Sequence, residues 1–292
     1  MSTTAERQPA PTAATHAHER EERRALVGRI LFLVPAALVL VLALVGPSLL
    51  PYDPTQVVGL PNQRPSSEFW FGTNSTGLDV FSRVIAATGL NLLIGILSVF
   101  FATLIGAVLG LLIGMNESRR GVLGVLARAG ARGIDLFQAI PSTVIGLVLV
   151  AFFGASVVTI VIALSIVMAP IQARLVRVET LQVRGESFVD AATLSGVGGV
   201  QLLFREILPN VMGPALINTT AMFAASTILT ATLGFLGVGI QPPTAEWGSM
   251  ISSGASDLIS GRWWSVVFPA AAMLLTIAAF AMAGHALRSR RH

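Results

Sequence analysis

Long apolar runs, separated by a few short polar segments, dominate the chain. The first run, from about residue 30 to residue 50, ends in Gly46-Pro47-Ser48-Leu49-Leu50-Pro51. It lacks the small-x-small cleavage site of a signal peptide and predicts a retained helix. At about 1.5 Å per residue, that helix is long enough to cross a hydrocarbon core of roughly 30 Å. A second charge-free run covers 89–115. From Leu136 to Ala173 another 38 residues carry no charge. This is nearly twice what one crossing needs, and it predicts two short spans, 134–153 and 155–171, joined near Gly154. A polar segment follows at 172–206, then a run from Ile207 to Ala245 with a span at 213–236, and a last helix at 264–287. Residues 1–29 are polar and mix both signs of charge, which predicts a disordered cytoplasmic tail ahead of a membrane domain over 30–292. The expected fold is all-α, a polytopic membrane protein with six transmembrane helices.

Composition supports this reading. Hydrophobic residues make up 53% of the 292, charged residues 12%, and the mean hydropathy is +0.76. A soluble domain is closer to about 25% charged. All 19 basic residues are arginine. With six spans, 16 of them fall on one side and only Arg64, Arg83 and Arg262 on the other. Cytoplasmic loops collect basic residues, so both termini are expected on the cytoplasmic side of the plasma membrane. Arginines spread over four segments beside helix ends fit a lipid boundary and not a nucleic-acid partner.

The chemistry available to such a chain is limited. With no cysteine and no lysine, there is no thiolate, no Schiff base and no P-loop lysine for ATP. His16, His18, His285 and His292 form no metal-ligand spacing, so no metal site and no catalytic residue is expected. No carboxylate sits in an unambiguous span core, which weakens a proton-coupled reading. Gly106, Gly110 and Gly114 recur every four residues on one face of the second span and predict a close helix interface, internal or with a partner. Asn218, Thr219, Ser226 and Thr230 give the fifth span a polar side, open to two readings: a translocation path or packing with back-bonded hydroxyls. Gln241, Pro242, Pro243 and Trp247 lie just beyond that span. Trp247 could anchor at the interface, or this segment could touch an extracellular partner.

The polar segment 172–206 is the most informative. Glu186 or Ser187 can start a short helix, Ala191 and Ala192 offer a small surface, and Gly196 can take the left-handed conformation that ends it. Leu208-Pro209 then suits a helix first turn. Asp190-Ala191-Ala192, Gly196 four positions later, and Leu208-Pro209 twelve beyond that resemble the E-A-A loop of ABC importer permeases. Phe71-Gly72-Thr73-Asn74 with Gly77-Leu78-Asp79-Val80-Phe81-Ser82-Arg83, and Phe235-Leu236-Gly237-Val238-Gly239-Ile240-Gln241-Pro242-Pro243 with Trp247-Gly248, resemble segments of the peptide and nickel branch. The dipeptide and oligopeptide C-type permeases are the nearest match. Asp190 replaces the usual Glu, Glu206 stands where the motif has Ile, and Leu78 replaces the common Arg.

This resemblance implies a non-catalytic transport subunit whose loop of Glu186, Asp190, Ala191, Ala192, Gly196, Leu208 and Pro209 couples to an ATPase. It further implies a second homologous permease, two ATPase subunits that use ATP and Mg, an extracytoplasmic solute-binding protein and a peptide substrate. Nickel, glutathione or another small solute is the alternative cargo. An ATP-independent channel or secondary transporter, and a membrane scaffold, are the rival classes.

Overall fold

The computed structural model describes residues 31–288, with side chains to residue 286. The polar tail read from residues 1–29 lies outside the described residues. Among these residues the chain is helical, with one isolated bridge between Thr73 and Asp79. Five helices are long and apolar enough to cross a membrane. These are α1 (Leu31–Leu49), α2 (Val80–Asn116), α5 (Val157–Arg184), the continuous helix Gly199–Phe235, and α10 (Trp264–Arg288). A sixth span arises if α3 (Val122–Gln138) and α4 (Ser142–Phe153), bent by 86°, count as one broken crossing. The short helices are α6 (Ser187–Leu194) and α9 (Trp247–Ile259).

Several helices extend past the limits that hydropathy suggests. The run at 89–115 lies inside α2, which starts at Val80 because the Asp79 carboxylate accepts the Ser82 N–H at 2.8 Å. At 37 residues α2 is about 55 Å long and projects beyond a bilayer core. The polar segment 172–206 is not one loop: its first 13 residues complete α5. α5 begins where the Ser156 hydroxyl accepts the Thr159 N–H, after Gly154 turns the chain at φ +84°. It continues through Pro170, whose missing N–H is tolerated in a helix buried among neighbours. The turn into α4 falls at Ile140-Pro141, where proline keeps the preceding residue out of the helical region.

The helix Gly199–Phe235 has three parts: α7 (Gly199–Leu202), a π turn at Leu203–Ile207, and α8 (Leu208–Phe235). Pro209 explains the widened turn. It cannot donate to the Arg205 carbonyl and its ring crowds that position, so the ladder shifts to a Leu208 N–H to Leu203 O bond.

α2 and α5 form the central pair, with α8 against both. Gly106, Gly110 and Gly114 face α5. A Cβ at Gly106 would fall 2.6 Å from the Gln172 Cβ, and one at Gly114 would fall 2.7 Å from the Thr180 Cβ. The glycine stripe is therefore an internal α2–α5 interface, in which backbones approach as no larger residue allows.

Candidate coupling and translocation surfaces

At one end of the α2–α5 pair, arginines tie the helices together. Arg177 makes a bidentate pair with Glu117 at 2.7 and 2.6 Å, and Arg184 donates to the carbonyls of Gly114 and Met115 at 2.8 and 3.0 Å. These bonds satisfy the orphan carbonyls at the end of α2. The hydrogen bond from Arg177 also holds the Glu117 carboxyl below its ordinary value.

α6 projects from this end. Glu186 precedes its first residue without a side-chain cap, and Val189 is its one buried side chain. The Gly196 N–H bonds Thr193 O at 3.0 Å and the Val197 N–H bonds Ala192 O at 3.1 Å. With Gly196 at φ +81°, this pair is a Schellman cap, a termination that glycine alone takes without strain. Asp190 and Ala191 are exposed and Ala192 is half-buried. Phe188, Leu194 and, beyond the turn, Val200 and Phe204 are also exposed, Leu194 at 89%. Leu208 is half-buried and Pro209 exposed at the root of α8. The residues read from the sequence as a coupling loop thus run along the chain from the exposed side of α6, through α7, to the root of α8.

The polar side of α8 separates. Asn218 donates to Gln172 Oε1 at 2.9 Å, and Gln172, itself fully buried, donates to Ala215 O at 2.8 Å. That chain of bonds knits α5 to α8. Ser226 and Thr230 are 0% and 2% exposed, and Thr230 bonds back to Ser226 O at 2.9 Å. Both pack between helices in this conformation. Thr219 alone of the four opens onto a cavity of about 600 Å³ between α1, α2, α8 and α10, walled by Leu40, Phe100, Phe223 and Phe280 among others. Its hydroxyl bonds Leu216 O.

At the opposite end, the segment after α8 also divides. Gln241, Pro242 and Pro243 are exposed, with a cis bond between the prolines. Trp247 is fully buried against Val80, Val84 and Ala87, its indole N–H 3.4 Å from Val84 O. It is therefore neither an interface anchor nor free to touch a partner in this conformation. Packing explains this: α9 lies against α10 and α8 and carries Trp247 inward onto the start of α2.

Two charged groups here receive no structural role from the sequence alone. Glu246, fully buried, caps α9 by accepting the N–H groups of Gly248 and Ser249 at 2.7 and 2.8 Å. Burial pushes its carboxyl above the usual range, against the pull of those two donors. An acid directly before Trp-Gly, a residue type favoured at helix N-termini, was the available signal. Arg83 is buried and donates to Pro54 O at 2.8 Å and Pro243 O at 2.9 Å, holding the exposed proline corner. The neighbouring motif is structural as well. Thr73 receives the Trp264 indole N–H at 3.0 Å, and Phe71 stacks on Phe268 at 3.8 Å.

Among the described residues, no three His, Asp or Glu side chains lie close enough to share a metal ion. The geometry offers a rigid helical body, a projecting apolar knob at one end and a pinned proline corner at the other.

Residues 106–291 match the model of the binding-protein-dependent transport system inner membrane component family. The chain belongs to that family. It is an ABC importer permease subunit, as the E-A-A-like loop implied. It is 36% identical over 269 residues to the di/tripeptide transport system permease protein DppC of Pseudomonas aeruginosa (strain UCBPP-PA14), covering 90% of this chain and 86% of that one. It is 35% identical over 242 residues to the glutathione transport system permease protein GsiD of Pectobacterium atrosepticum, covering 82% and 78%. The fold matches the crystal structure of an amino acid ABC transporter with histidines, at a TM-score of 0.51 and 17% identity. That match spans 73% of this permease and 95% of the solved chain. The long apolar helices and the family together make it a multi-pass inner-membrane protein.

Proposed function

We propose that this permease joins a second, homologous permease to form the path by which di- or oligopeptides are imported. On this reading two ATPase subunits bind the α6 end and use ATP and Mg, while this chain itself catalyses nothing. An extracytoplasmic binding protein delivers cargo at the Gln241-Pro242-Pro243 corner. The observation that carries this reading is α6. It is an exposed helix with apolar side chains, rigidly capped at Gly196, placed in the chain between α5 of the central pair and the helix that packs against that pair. The names of the relatives, for dipeptide and glutathione transport, supply the cargo class. The arginine distribution orients the α6 end and both termini toward the cytoplasm. α3, lying along the cytoplasmic boundary, and α4, entering the bilayer at the 86° bend, then form one broken crossing, completing six spans. ATP-driven movement of the ATPases would shift α6 and, through the α7–α8 helix, tilt the membrane body between two states.

Gly196→Pro tests this coupling. Proline removes the N–H that bonds Thr193 O and cannot adopt φ +81°. The variant should insert normally in the membrane yet lose ATP-driven peptide uptake, and Ala191→Arg should do the same by steric block. Wild-type uptake by either would refute the coupling role. For the path, Thr219 is the open position. Reaction of Thr219→Cys with a polar thiol reagent supports a path there, whereas complete protection counts against it.

A further inference from the structure

α3 has three faces. Gly124, Ala127 and Ala131 are buried against the body of the protein, near Ile113. Arg128 and Arg132 share a second strip with Asp135. The third face is broad and apolar: Val122, Val125, Leu126 and Leu136 are 76%, 58%, 62% and 73% exposed. Arg119 and Arg120 lie in the turn before the helix and are exposed too. Few anions balance this charge. Glu117 is held by Arg177 in the bidentate pair, Asp135 lies near Arg177, and Arg128 donates to the carbonyls of Glu117 and Arg119. Among the described residues no carboxylate forms an ion pair with Arg119, Arg120 or Arg132. The 86° bend at Pro141 turns α3 away from the direction of α4.

We propose that the α2–α3 turn and α3 form a docking surface for anionic phospholipid. The exposed apolar face lies among acyl chains, and Arg119, Arg120 and Arg132 hold lipid phosphates at the boundary. Each element of this surface matches one part of the ligand. A helix with an apolar face beside a basic strip lies at a membrane interface, and it is attracted to negative headgroups by uncompensated charge. Guanidinium forks bind phosphate oxygens in pairs, and two free forks in the turn with a third farther along the basic strip of α3 exceed what solvation of a helix end requires. The surface adjoins the Glu117–Arg177 pair, so a bound headgroup would brace the α6 end of the α2–α5 pair. The assignment rests on the reading of this chain as a membrane-spanning permease, but not on its cargo or its ATPases.

The test uses the full chain, in the complex in which it is isolated from its membrane, placed in nanodiscs of equal phosphatidylglycerol and phosphatidylcholine. Lipids retained on release are counted by native mass spectrometry. The wild type should retain phosphatidylglycerol in excess. R119Q/R120Q/R132Q should lower that excess by about fivefold per arginine. The matching lysine variant, which keeps the charge, should retain most of it. A photocrosslinking residue at Leu126 should label lipid. Equal retention of the two lipids, or an unchanged excess in the glutamine variant, would overturn the proposal. So would displacement by inorganic phosphate alone, which would assign the arginines to free anion, or crosslinking of Leu126 to protein, which would make this face a subunit contact. Each readout is independent of transport, so failure here leaves the permease reading intact, and loss of transport leaves this surface intact.

Discussion

A methyl group at Gly110 would fall 2.6 Å from both the Ala173 carbonyl oxygen and the Val176 Cβ, whereas one at Gly133 would meet nothing within 4 Å. The same substitution should therefore have opposite effects. Gly110→Ala should cost about 1–3 kcal/mol by forcing α2 from α5, and Gly133→Ala should gain about 0.5–1 kcal/mol through helix propensity. Thermal unfolding in one detergent checks both, and equal shifts would disprove the interface. Glu246 supplies a pH test. Its carboxyl is raised above the ordinary 4.5 by burial, so the folded state binds a proton that the unfolded state has released. This contribution to stability is present below pH 4.5 and is lost as pH rises through the raised value. Melting temperature should fall over that window, and Glu246→Gln should flatten the slope. Glu117, held low by Arg177, acts in the opposite sense: its contribution is present above pH 4.5 and lost as pH falls below it.

At the scale of elements, what was legible followed from chemistry that is local in sequence. Gly154 and Gly196 mark breaks that need positive φ, Asp-Ala-Ala marks α6, and the four-residue glycine spacing marks one face of α2. What was not legible depended on tertiary burial. Arg83 was counted among the arginines outside the spans, yet two backbone carbonyls from distant segments let it sit buried in the first turn of α2. Trp247 looked interfacial, because nothing local says that α9 carries it inward onto the start of α2. The polar side of α8 left a path and plain packing equally open, and three of the four residues are taken up by packing in this conformation. The α2–α5 tie is measurable as a pair. In a double-mutant cycle, Glu117→Gln and Arg177→Gln should show a coupling of about 1 kcal/mol, modest because both side chains are partly exposed. Zero coupling would mean that the glycine packing alone sets the register.

At the scale of the molecule, the central pair links two ends about 50 Å apart along α2. One end presents α6, and the other presents the proline corner pinned by Arg83. A body so closely packed by glycine moves as a unit, so a displacement at α6 reaches the far end without unfolding any span. α1 is the least buried of the five long helices, which leaves much of the subunit's outer surface free for lipid or for another subunit. On the proposed reading, α6 couples this permease to ATPases. The most direct test is isolation of the tagged wild type and the Ala191→Arg variant from native membranes in gentle detergent, with every co-purifying chain identified by mass spectrometry. The wild type should bring down a second permease and ATPase subunits, and the variant should keep the permease while losing the ATPases. Recovery of the wild type alone, in a preparation that transports without ATP, would contradict the account and make this chain a self-contained channel or secondary transporter.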